Sequence, residues 1–91
     1  MYHLVWTAAF TRTAKKFLGS HPELRPTVAG ILRDLETDPF QPHLRFHQLS
    51  GKLKGVQAVS ITHSYRITLT LLVSEKEITL LDIGSHDEVY R

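Results

Sequence analysis

The chain has no cysteine, which excludes disulfides, thiolate nucleophiles and thiolate metal sites together and leaves packing as the means of holding a small fold. It also lacks any apolar run near the roughly 20 residues that span a bilayer. The opening MYHLVWTAAF has no basic region ahead of a long apolar stretch, so a cytoplasmic protein without a targeting segment is expected. Repeats and low-complexity tracts are missing, and so is a strong charge of either sign. The net charge of +2 is far from that of a polybasic tail, yet it suits a phosphate-bearing or acidic partner. Six histidines are scattered without a short-spaced ligand set, which makes a poor metal site, and nothing suggests a small-molecule cofactor.

What is present is enough for one domain, residues 1–91, around one core: 91 residues with 42% hydrophobic content. Tyr2 to Trp6 is aromatic and β-branched enough for a short strand. Ala9, Phe10, Ala14, Phe17 and Leu18 then recur at helical spacing, with Gly19 placed to end the helix. A second stripe, Leu24, Val28, Ile31, Leu32 and Leu35, stops before Pro39. Pro26 fits only in the first turn, so this helix is expected to start near Glu23 or Leu24.

After DPFQP the period shortens towards two. Four strands are predicted: Leu44 to Leu49, Val56 to Thr62, Tyr65 to Val73 and Glu77 to Ile83. The breaks SGKLKG, THS and SEKE are short enough to join antiparallel neighbours. The expected fold is therefore α+β, in the order β-α-α-β-β-β-β, with two N-terminal helices on one face of a mainly antiparallel sheet and the other face open.

Alternation says what the open face carries. Tyr65, Ile67, Leu69, Leu71 and Val73 point one way, and Arg66, Thr68 and Thr70 the other. In LRFHQL, Arg45 and His47 share a side, so His47 and Arg66 are expected on the same face. EITLLDIG is apolar on both sides, which suggests an inner, doubly covered strand.

The ending GSHDEVYR follows that strand. If Ser85 caps a single helical turn, His86 and Tyr90 at i and i+4 meet on one side, with Val89 anchoring the turn. GKLKG places Lys52 and Lys54 on a glycine-bounded turn, two cations that bind phosphate as point charges.

The run HQLSGKLKGVQAVSITHSYRITL, followed by ITLLDIGSHDEVYR, resembles the C-terminal half of RelE/ParE superfamily toxins of the RelE and YafQ type. Those proteins show a Leu-Gly-Lys-Gly hairpin, a strand with Tyr-Arg-Ile, and a Gly-(Ser/Thr)-His ending followed by an aromatic residue. The resemblance follows the element order along nearly the whole chain and is specific in residues from about Phe46 onward. It implies the toxin of a type II toxin-antitoxin system that cuts messenger RNA on the ribosome without a metal and is held inactive by a cognate antitoxin. By the same resemblance His47 matches the histidine before the hairpin, His86 the C-terminal histidine, Tyr90 the aromatic after it, and Arg66 the strand arginine. Lys52 and Lys54 fall in the hairpin that faces the RNA backbone, and Arg45 beside His47 joins them. The chain departs from the YafQ pattern at Ser60 and Ser64, where a histidine and an aspartate are usual, with His63 a neighbour out of register. Leu69 also replaces a tyrosine often found after Arg-Ile.

RNA cleavage without a metal needs a base for the 2′-hydroxyl proton, a cation for the charge on the phosphate, and an acid for the leaving 5′-oxygen. Histidine serves either proton role near neutral pH, which makes His47 the expected base and His86 the expected acid. Arg66 suits the scissile phosphate, Lys52 and Lys54 the flanking backbone, and Tyr90 can stack on a base or orient His86. Two other readings remain: a ParE-like toxin that binds DNA gyrase, and a degenerate member that keeps only antitoxin binding.

Overall fold

The computed structural model describes residues 1–90. Helix α1 (Ala8–Ser20) starts where Thr7, in extended conformation, accepts the Phe10 N–H on its side chain, and it buries Phe10, Ala14 and Phe17. Gly19 lies inside the last turn of α1, not past its end; His21 closes the helix through its N–H to the Phe17 carbonyl. A single 3-10 turn, Pro22–Leu24, leads into α2 (Arg25–Thr37), with Pro26 in the first turn where its missing N–H costs nothing.

The strands are β1 (His3–Trp6), β2 (His47–Gln48), β3 (Gln57–Ser60), β4 (Tyr65–Leu72) and β5 (Glu77–Ser85), and α3 (His86–Val89) closes the described chain. The sheet order is β1-β5-β4-β3-β2. All neighbours are antiparallel except β1 and β5, which run parallel from opposite ends of the sequence, and this makes the five-stranded sheet mixed. The α+β arrangement expected from the sequence is the one observed.

The strand expected over Leu44 to Leu49 shrinks to two residues. Pro42 opens a 3-10 turn over Pro42–Leu44, and Arg45 takes a left-handed conformation at φ 53°, so no continuous alternation crosses that stretch. Leu44 leaves the strand line and is fully buried in the core.

The apolar character of EITLLDIG on both sides also has a local cause. Leu69 pairs with Leu80 and Thr68 with Asp82, so β5 carries one extra residue at Leu81. This bulge resets the phase of the strand. Ile78, Leu80 and Ile83 therefore all join the core against Phe10, Phe17 and Leu35, although Leu80 and Ile83 are three residues apart. β5 does hold an inner position, between β1 and β4.

Candidate active site

Cross-strand register identifies the residues of the face opposite the core. His47 pairs with Ala58, Ala58 with Thr68, and Thr68 with Asp82, so these four form one row. Two residues along, Ser60 pairs with Arg66 and Arg66 with Gly84. His47 and Arg66 thus share a face, as expected, two strands and two residues apart, which is about 12 Å between their Cα atoms. Thr68 on this face is buried at 3% exposure, so the face is not uniformly solvated as its alternation suggested.

The tail folds as its spacing predicts. Ser85 accepts the Glu88 N–H at 3.3 Å, while the Glu88 carboxylate accepts the Ser85 N–H at 2.9 Å, a reciprocal capping box that starts α3. Gly84 makes room for it, because a Cβ there would lie 3.0 Å from Glu88 Oε1. Val89 is buried and anchors the turn. The His86 and Tyr90 rings then meet edge to face, centroids 4.2 Å apart.

Tyr90 also reaches the sheet. Arg66 Nη1 donates to its hydroxyl at 3.2 Å, and the guanidinium carbon lies 5.6 Å from the centroid of its ring. Arg66 Nε is buried and has no hydrogen-bond partner among the described residues, so the protein leaves part of the guanidinium uncommitted. Strand β4 and the tail, remote in sequence, thereby place a permanent cation, a phenol and an imidazole in succession.

The hairpin supplies one more group to this set. Gly51 and Gly55 adopt φ of 66° and 92°, conformations only glycine takes at little cost, and they bound the turn that carries Lys52 and Lys54. A cleft of about 360 Å³ is lined by Leu49, Ser50, Lys52, Leu53, His86 and Tyr90. Lys52 thus joins the tail, while Lys54 is outside this lining. His47 is also outside it, exposed on β2, with Nδ1 2.8 Å from the Arg45 carbonyl. A carbonyl only accepts, so Nδ1 carries the proton and the neutral ring keeps a lone pair on Nε2. Arg45 and Arg66 line a separate cleft together with His43 and His63, which the sequence had not marked as site residues. No local spacing signals those two, since the turn after α2 and the β3–β4 turn meet only in the fold.

Solved structures of several toxins are similar to it. No family model matches the sequence, and no curated protein does. The YoeB/ParE toxin from Agrobacterium tumefaciens superposes with a TM-score of 0.76 at 18% identity, over 92% of this chain and 98% of that one. A copper-bound mutant toxin from Helicobacter pylori gives 0.74 at 27% identity, over 98% and 99%. YafQ from E. coli gives 0.74 at 14% identity over the whole of both chains, and the DinJ-YafQ complex is matched as well. The chain has the fold of the RelE/YafQ-like toxin superfamily. Among the described residues no three His, Cys, Asp or Glu side chains are grouped to hold a metal ion.

Proposed function

We infer that the protein is the toxin of a toxin-antitoxin pair, and that it acts as a metal-independent endoribonuclease on ribosome-bound messenger RNA. The observation that carries this reading is the contact chain from Arg66 through Tyr90 to His86 beside Lys52, an arrangement suited to a phosphodiester. The scissile phosphate sits against Arg66, whose forked cation gathers the negative charge of the transition state. His47 Nε2 takes the proton of the 2′-hydroxyl, whose oxygen attacks the adjacent phosphorus. As the new 2′-O–P bond forms, the P–O5′ bond breaks, and His86 gives a proton to the leaving oxygen. The products are a 2′,3′-cyclic phosphate and a free 5′-hydroxyl. Tyr90 orients both Arg66 and His86, while Lys52, Lys54 and Arg45 hold the flanking backbone.

The partner is a separate antitoxin protein whose acidic or amphipathic segment covers the polar face and its cationic groups. DinJ, solved in complex with the structurally similar YafQ, supports the idea of a second chain.

The test is to incubate the purified protein with a defined messenger RNA, with and without translating ribosomes, and to map the new ends beside those from His86→Ala. Cuts that need ribosomes, end in a 2′,3′-cyclic or 3′-phosphate, and fall by about 10²–10⁴ in the variant are expected. Undiminished cutting by a folded His86→Ala protein removes that residue from the mechanism. No cutting by the wild type under either condition overturns the nuclease reading.

A further inference from the structure

Arg66 also lines a cleft that neither His86 nor Tyr90 enters, about 350 Å³ in volume, shared with His43, Arg45, Ser60, Thr62 and His63. Ser60 is the cross-strand partner of Arg66. Thr62 and His63 stand in the β3–β4 turn, which is closed by the Ile61 and Thr62 N–H groups on the Tyr65 carbonyl at 2.9 and 3.3 Å. The Thr62 hydroxyl accepts the Ser64 N–H at 3.2 Å, which leaves its own O–H as a donor. His43 is held from the other side, its Nε2 2.7 Å from Asp34 Oδ2 on α2. No carboxylate belongs to the lining. Two permanent guanidiniums, the His63 imidazole and two hydroxyls converge in a lining with no carboxylate of its own, Asp34 being engaged with His43, and such a set receives a tetrahedral anion.

We propose that this cleft is a second phosphate subsite, which seats the RNA backbone phosphate adjoining the scissile one. That its ligand is RNA rests on the nuclease reading above; that it takes a phosphate rests on its lining. Arg66 of this lining donates to Tyr90 of the first cleft at 3.2 Å, so the two separate clefts adjoin at that pair, and a strand with its scissile phosphate there would present its next phosphate to the second. An acidic peptide would carry anions at no such fixed interval from the first site.

The experiment reads binding alone. A labelled 2′-O-methyl tetranucleotide, which cannot be cut, is prepared with a neutral methylphosphonate at each linkage in turn. Its affinity is measured for the wild type, Arg45→Ala and His63→Ala. In the wild type, neutralising either of two neighbouring linkages is expected to weaken binding about tenfold. Arg45→Ala should weaken the unmodified strand by a similar factor and erase the penalty at one linkage only, leaving it at its neighbour. His63→Ala should give the same pattern with a smaller change. The main-chain hydrogen bonds of Arg45, its carbonyl accepting from His47 and its N–H donating to the Pro42 carbonyl, are kept in both variants. The proposal is overturned if both variants bind as the wild type does, if they weaken every member of the series equally, or if the wild type binds none of them. Failure of the nuclease reading shows separately, as unmodified RNA that is bound in this pattern but never cut.

Discussion

Tyr90 does two jobs with different atoms: its hydroxyl accepts from Arg66, and its ring packs against His86. Tyr90→Phe keeps the ring contact and removes the acceptor, which strands a half-buried cation. Cleavage is expected to fall about tenfold and stability by about 1 kcal/mol, read from kcat/KM and a urea midpoint. Tyr90→Ala removes both contacts and should lower kcat/KM further. His47→Ala should abolish cleavage while RNA binding persists, because it removes the lone pair that the Arg45 carbonyl leaves free on Nε2. The meeting of His86 and Tyr90 was legible from an i, i+4 spacing, which is a property of one turn. The place of His63 beside Arg66 was not, because a turn residue has no periodicity to report it.

A capping box makes α3 possible, since a four-residue helix has little propensity of its own. Ser85→Ala is expected to cost about 1 kcal/mol and to loosen His86 from Tyr90, seen as a change in their side-chain NMR shifts. In β5 the bulge does comparable work. Deleting Leu81 would make the pairing with β4 regular and leave Leu80 and Ile83 two residues apart on the same core face, with the pairs Leu69–Leu80, Thr68–Asp82 and Ile67–Ile83 kept. The expected outcome is a folded protein whose loss of stability stays below the ~2–5 kcal/mol of emptying one large aliphatic core site, measured by denaturant unfolding. The strand expected over Leu44 to Leu49 was shortened to His47–Gln48 for reasons of the same scale. Apolar alternation was present there, but Pro42 and the left-handed Arg45 gave the backbone a turn instead.

For the molecule as a whole, core and site lie on opposite faces of one sheet, so stability and chemistry are separable. Leu35, fully buried on α2, illustrates this: Leu35→Ala should cost about 2–5 kcal/mol in unfolding while the folded fraction cuts RNA at an unchanged rate. The net charge is small, yet Arg45, Lys52, Lys54 and Arg66 are all assigned to the RNA. If all four neutralise phosphates, the logarithm of single-strand affinity should fall against the logarithm of salt with a slope of about −3. A slope near zero would remove the phosphate contacts from the account.

The sequence by itself determined the order of elements, the apolar face of each helix, and the helical turn that brings His86 to Tyr90. These are consequences of periods of two and 3.6 residues and of a cap, all of which act within a few residues. Tertiary structure alone decided the parallel pairing of β1 with β5, the bulge at Leu81, and the cleft in which His43 and His63 flank Arg66. Each of those depends on which distant segments bury their apolar faces together. That choice is made by the core as a whole, and no local period records it.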